Sequence, residues 1–212
     1  QITAMADGGY VVTWITYGGS SSTESIFVQR FGSDNLAQGS AHELKGQNGL
    51  NRDPQITAMA DGGYVVTWNG CRAGDNSDSD IFVQRFGSDN TAQGGVHQLD
   101  GLGRAEEAPQ ITDMADGGYL VTWTGSNPNW TATDIFVQRY GSDNTAQGNP
   151  IELNALGGGN YFSQITAMAD GGYVVTWSGY NANWTVNDLF VQRFGSDNTA
   201  QGNLHQLDGR GG

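Results

Sequence analysis

The chain has 212 residues, 37% of them apolar and 33 of them glycine, and sets 22 acidic side chains against nine basic ones for a net charge of −13. Such a surface repels phosphate backbones, which excludes nucleic acid and argues against anionic membranes as partners. No apolar run reaches the roughly 20 residues of a membrane helix, so insertion is not expected, and the single cysteine, Cys71, excludes an intrachain disulfide.

In chain order, residues 1–5 (QITAM) predict a first strand and Asp7-Gly8-Gly9 a tight turn. Residues 10–14 (YVVTW) predict a second strand on their β-branched and aromatic content, followed by a loop to about Ser25. Residues 26–31 (IFVQRF) predict a third strand, Gly32-Ser33-Asp34-Asn35 a second turn, and residues around His42–Leu44 a short fourth strand. The same text restarts at Gln55, Gln110 and Gln164, at spacings of 54, 55 and 54 residues, and no helical periodicity interrupts it. The chain opens in mid-pattern at Gln1 without Met or a signal-like start, which reads as a processed or excised product.

A period near fifty residues indicates a propeller, solenoid or modular array. Tyr10-Val11-Val12 and Ile26-Phe27-Val28 are apolar on consecutive positions, so both sheet faces must be covered. Four-stranded antiparallel units stacked face to face meet that requirement. The expected fold is all-β, a four-bladed β-propeller forming one domain over 1–212, with blades 1–54, 55–109, 110–163 and 164–212.

The combination Gln-x-Thr-x-x-x-Asp-Gly-Gly-Tyr-Val-Val-Thr-Trp, then Ile-Phe-Val-Gln-Arg-Phe and a Gly/Asp/Asn turn, resembles the repeats of large secreted bacterial RTX-type adhesins and hemolysin-type calcium-binding proteins. The resemblance implies an exported scaffold. Its turns carry fewer carboxylates here, at Gly32, Gly87, Gly141 and Gly195, than the family's Asp-x-Asp-Gly-Asn-like pattern. By architecture the repeat number is also similar to four-bladed hemopexin-like and lectin propellers.

Residues present in every copy read as scaffold. Trp14, Trp68, Trp123 and Trp177 are expected between blades, and Arg30, Arg85, Arg139 and Arg193 are expected to pair with the aspartates of the two turns. His42, His97 and His205 share a position that is Ile151 in the third copy, which reads as surface rather than as an obligatory ligand. Cys71 lies in a variable loop and reads as incidental. No nucleophile–His constellation repeats, and spacing suggests no paired carboxylates.

Variation concentrates between the second and third strands. Copies three and four carry Asn127-Pro128-Asn129-Trp130 and Asn181-Ala182-Asn183-Trp184, each followed by Thr and later by Asp134 or Asp188. An indole flanked by amide and carboxylate groups suits a pyranose, and an indole that folds back onto its own loop is the alternative. Asn129 and Asn183 also head Asn-x-Thr sequons. Asp75, Asp78 and Asp80 of copy two are weak calcium candidates, with no metal site committed.

The expected function is a non-catalytic, multivalent, lectin-like carbohydrate-binding module of a secreted, extracellular protein. Its ligand-binding residues would be Trp130, Trp184, Asn127, Asn129, Asn181, Asn183, Asp134 and Asp188. The alternative is a structural or adhesive repeat module, calcium-stabilised and self-assembling. Neither reading makes the chain an enzyme or requires a cofactor, although calcium is compatible with both. The expected partners are glycans or glycoconjugates, with self-association as a second mode.

Overall fold

The computed structural model describes residues 1–17, 24–46, 50–72, 75–99, 105–126, 132–154 and 157–207, with the side chains of 72 and 75–77 left aside. The chain divides into two compact units, Gln1–Asp100 and Gly101–Gly212. Among the described residues the regular structure is sixteen strands, arranged as four antiparallel four-stranded sheets.

In the first unit, β1 (Ile2–Ala4), β2 (Tyr10–Tyr17), β3 (Glu24–Phe31) and β4 (Ala37–Leu44) form a meander. A second meander holds β5 (Asn51–Ala58), β6 (Tyr64–Arg72), β7 (Asp75–Phe86) and β8 (Ala92–Leu99). The two share one core, in which Ile26, Val28 and Leu44 pack with Tyr64, Val66 and Trp68. The second unit repeats the arrangement with β9 (Glu106–Asp113), β10 (Tyr119–Ser126), β11 (Thr133–Tyr140) and β12 (Ile151–Leu153), then β13 (Gly157–Ala167), β14 (Tyr173–Asn181), β15 (Asn187–Phe194) and β16 (Ala200–Leu207). There Ile135, Val137 and Leu153 pack with Tyr173, Val175 and Trp177. Trp68, Trp123 and Trp177 are fully buried, so the repeated tryptophans are core residues, while Trp14 in the first sheet remains partly exposed.

The turns form as their residue types dictate. Gly8 adopts φ 84° and the Asp7 carboxylate accepts the Gly9 N–H at 2.9 Å, closing the first hairpin. Asn35 adopts φ 63° in the second turn, where Asp34 accepts the Leu36 N–H. The arginines meet the first-turn aspartates: Arg30 lies 2.6 Å from Asp7, Arg85 2.7 Å from Asp61, Arg139 2.6 Å from Asp116, and Arg193 pairs with Asp170. Each unit adds a second use of the same guanidinium, with Arg30 donating to the Gly62 carbonyl and Arg139 to the Ser196 carbonyl of the next sheet.

Two features depart from the sequence reading. The fourth strands of copies one, two and four span eight residues rather than three, because Gly39, Gly94 and Gly202 take positive φ and let pairing resume beyond a register shift. Copy three keeps only Ile151–Leu153, since Pro150 replaces a ladder donor just before it. The first strands of copies two to four also begin before the repeat's Gln and pass through a bulge, where Asp53, Ala108 and Phe162 sit at φ 50–58°. Left-handed backbone at such residues costs about 1–2 kcal/mol.

Candidate active site in the second unit

The four sheets are nearly the same object, so a site shows itself where one copy differs in chemistry. Position 134 and its equivalents read Ser25, Asp80, Asp134 and Asp188, and the facing position on the fourth strand reads Glu43, Gln98, Glu152 and Gln206. In copies two and four an amide faces the aspartate: Gln98 Nε2 donates to Asp80 at 2.9 Å and Gln206 Nε2 to Asp188 at 2.7 Å. In copy one the Ser25 hydroxyl donates to Glu43 at 2.8 Å. Only in copy three does carboxyl face carboxyl. Burial, reinforced by the neighbouring Glu152 charge and by a carboxyl–carboxyl hydrogen bond, pushes Asp134 up to about 6.

Asn160 anchors this pair from the neighbouring sheet. Its Nδ2 lies 3.2 Å from Asp134 Oδ1 and its backbone N–H donates to Thr133 Oγ1 at 3.0 Å, while its Oδ1 accepts the Trp177 indole N–H at 3.2 Å. Gly179 makes room for it, since a Cβ there would lie 2.9 Å from Asn160 Oδ1 and 2.8 Å from the Phe190 ring. Glu152 lines a cavity of about 210 Å3 with Trp177, Gln192 and Leu204.

A second cavity, of about 230 Å3, opens beside Thr133 and is lined by Glu107, Ser126, Ala132, Thr133, Tyr161 and Trp184. Its wall is aromatic. Trp184 stands 5.4 Å from Tyr180 and 6.3 Å from Tyr161, ring centre to ring centre, and remains 48% exposed. The Trp184 backbone N–H donates to the Asn181 carbonyl at 2.8 Å, closing the turn, and Gly159 leaves the gap the indole occupies, because a Cβ there would lie 2.5 Å from the ring. The indole therefore both folds onto its loop and presents a face to the cavity.

The structure distributes the expected ligand residues unevenly. Trp184 and Asp134 fall beside this cavity or the carboxyl pair. Asn181 is consumed within its own turn, where its side-chain oxygen accepts the Thr185 N–H at 2.9 Å. Asn183 is exposed on the same turn, and Asp188 is buried against Gln206. Asn127, Asn129 and Trp130 lie outside the described residues.

The calcium expectation finds no support. Residues Asp75–Asp80 belong to strand β7 rather than to a loop that could wrap an ion. Asp80 is buried with Gln98, Asp78 is half-buried, and the Asp75 side chain is outside the described set. Among the described residues no group of three or more His, Cys, Asp or Glu is placed to hold a metal. The second-turn aspartates 89, 143 and 197 accept the hydroxyl and the backbone N–H of Thr91, Thr145 and Thr199, which holds them below the usual carboxylate range. His42 also departs from a plain surface role, with Nε2 at 2.8 Å from the Asn90 carbonyl and its ring 5.1 Å from Phe86. Cys71 is buried in β6.

Tyr161, Glu107 and Glu152 were not legible as site residues. Their signal lies in the comparison of copies: Glu107 and Tyr161 share a position with Arg52, and Glu152 shares one with Glu43, Gln98 and Gln206, where of the two glutamates it alone faces an aspartate.

No protein-family model matches the chain, and no curated protein matches it. Solved structures do. The α-L-arabinofuranosidase of Fusarium graminearum bound to an iminosugar inhibitor superposes with a TM-score of 0.60 at 14% identity, covering 97% of this chain and 64% of that one. The α-L-arabinanase of Penicillium chrysogenum bound to arabinobiose gives 0.60 at 12% identity, covering 97% and 65%. A thermostable family-43 glycoside hydrolase gives 0.53 at 11% identity, covering 99% and 71%. The chain spans under two thirds of the length of the first of these. The fold is that of a β-propeller.

These likenesses correct the functional expectation. The similar structures named above are glycoside hydrolases, and the third sheet holds a hydrogen-bonded carboxyl pair that spacing did not suggest. The non-catalytic lectin-like module, its adhesive alternative and the exclusion of enzyme activity are set aside. The RTX-type resemblance gains no support beyond an all-β repeat.

Proposed function

We propose that this chain acts on carbohydrate as a glycoside hydrolase, with its working residues in the second unit. The observation that carries the reading is the Asp134–Glu152 pair, present in one repeat of four. A glycosidase needs a carboxyl group that keeps a proton for the leaving oxygen. Glu152, hydrogen-bonded to Asp134, stands too close to be the opposing carboxyl, which lies about 5–9.5 Å away in such enzymes. Its part is to hold the proton on Asp134. Asp134, raised to about 6 by burial and by Glu152, retains a proton at mildly acid pH where an ordinary aspartate has lost it.

Tyr161 and Trp184 would stack on the apolar face of a sugar ring, and Glu107 would supply the second carboxylate to that cavity. Thr133 borders the cavity, and Asn160, which bonds both Thr133 Oγ1 and Asp134 Oδ1, links that wall to the carboxyl pair. The similar structures were solved with arabinobiose and with an iminosugar, which makes arabinose-containing oligosaccharides the first substrates to try. A polymeric substrate and a net charge of −13 both suit a secreted, extracellular protein.

The test is hydrolysis of arabinan, arabino-oligosaccharides, xylan and nitrophenyl glycosides by the intact chain and by Glu152→Gln. Turnover that falls at least about tenfold in Glu152→Gln supports the reading, on the scale expected for general acid catalysis. Turnover on none of these substrates, or equal turnover by the variant, overturns it.

A further inference from the structure

Phe162 is 75% exposed, a large apolar ring in water, and its backbone sits at φ 58°, a left-handed conformation that bulky residues rarely adopt. The bulge itself belongs to the architecture, since Asp53 and Ala108 take the same conformation in the second and third copies. The ring does not, because those copies form the bulge without it. Neither packing nor backbone geometry accounts for a phenylalanine at this position.

The bulge also redirects the side chain. Neighbouring residues of a strand point to opposite faces. Here the register shifts between Tyr161 and Gln164, and the Tyr161 and Phe162 rings stand 6.2 Å apart, centre to centre, at 46°. Tyr161 in turn lies 6.3 Å from both Tyr180 and Trp184. All four rings belong to the fourth sheet, on β13, β14 and the turn before β15, so that sheet's own hydrogen bonds set the patch. The strained backbone is held on both sides. Asn160 and Ser163 are buried, with the Asn160 N–H donating to Thr133 Oγ1 and Ser163 Oγ 3.0 Å from Thr122 Oγ1. The Phe162 ring is thereby held beside the cavity that Tyr161 and Trp184 line.

We propose that Phe162 is a second sugar platform, one sugar along the chain from the ring seated on Tyr161 and Trp184, and that the site therefore takes neutral oligosaccharides in preference to single sugars. This rests on the hydrolase reading of the same cavity. A rigid, exposed aromatic face is what the apolar side of a sugar ring packs on. The 46° tilt prevents one flat ring from lying on both Tyr161 and Phe162, whereas two linked rings of one chain can each take a face. A net charge of −13 favours neutral sugars over acidic ones. Phe162 touches substrate away from the reacting bond, so it sets chain-length preference rather than the chemistry.

The test compares kcat/KM on arabino- and xylo-oligosaccharides of increasing length for the intact chain, Phe162→Ala and Phe162→Trp. Phe162→Ala should keep the fold by circular dichroism, because Ala108 already occupies this bulge in the third copy. In the wild type, kcat/KM is expected to rise about fivefold with the sugar that reaches Phe162 and then level off, the scale of one stacking contact. Phe162→Ala should lose that rise through KM, and Phe162→Trp should retain it. Turnover without such a rise, a rise that survives in Phe162→Ala, or a loss that Phe162→Trp shares overturns the proposal and leaves the hydrolase reading standing. Absence of turnover by the wild type overturns both.

Discussion

Asn160 Nδ2 lies 3.2 Å from Asp134 Oδ1, so a buried amide of the fourth sheet steadies a carboxyl group of the third whose other neighbour is Glu152. That amide lowers the Asp134 pKa, yet burial and Glu152 outweigh it. The balance makes Glu152 the residue to change.

Glu152→Gln should fold normally, because Gln98 and Gln206 already occupy this position and donate to Asp80 and Asp188. The substitution removes a negative charge and adds a donor, so the Asp134 pKa should fall from about 6 toward the ordinary aspartate range. Carboxyl NMR titration reads this directly. An unchanged midpoint would show that burial alone sets it.

Asp134 also fixes the sign of one pH effect. Its folded-state pKa of about 6 exceeds the unfolded 3.8, so the folded chain holds the extra proton between those values. Stability from this group is therefore full below about pH 4 and lost as pH rises to 6. Discounted for partial exposure, the loss is on the order of 1 kcal/mol, and Asp134→Asn should remove it. Urea unfolding at pH 4.5 and pH 7, wild type against variant, checks the difference.

Asp7, Asp61 and Asp116 act in the opposite direction. The Gly9 N–H, then Arg30, lowers Asp7. At Asp61 and Asp116 burial pushes upward but is outweighed by the Gly63 or Gly118 N–H and by Arg85 or Arg139. Their stabilisation is present above the unfolded value of 3.8 and is lost as pH falls through the lowered folded values. Acid unfolding should therefore set in below about pH 4, and Asp116→Asn should flatten that limb of the stability curve.

Position decides what an arginine is worth. Arg139 is buried and also donates to Ser196, so Arg139→Ala should cost about 2 kcal/mol, chiefly by leaving an inter-sheet carbonyl unpaired, since water reaches the half-exposed Asp116. Arg193→Ala, at a half-exposed site, should cost less than about 1 kcal/mol. Equal losses in denaturant titration would show that the inter-sheet bond contributes nothing.

Trp184→Ala tests the aromatic wall separately from the carboxyl pair. Half of the indole is already in water, so the fold should survive. Loss of a stacking face should raise KM for oligosaccharides several-fold with a smaller change in kcat. A pure kcat effect would place the indole elsewhere in the reaction.

Sequence alone determined the repeat, its strands and turns, and the pairing of each arginine with a turn aspartate. These are local or periodic properties: β-branched runs, Gly and Asn where φ must be positive, and one buried cation per copy that needs an anion. Sequence also marked Trp184 and Asp134, but it read them as parts of a hydroxyl-binding loop. Only the tertiary structure decided that Asp134 meets Glu152, because strand pairing brings together groups eighteen residues apart that spacing does not link. The same holds for Glu107 and Tyr161, which share one repeat position in successive copies and meet at one cavity only because the fourth sheet packs against the third. A repeat specifies its own fold many times over, and its chemistry lies in the few positions where one copy departs from the rest.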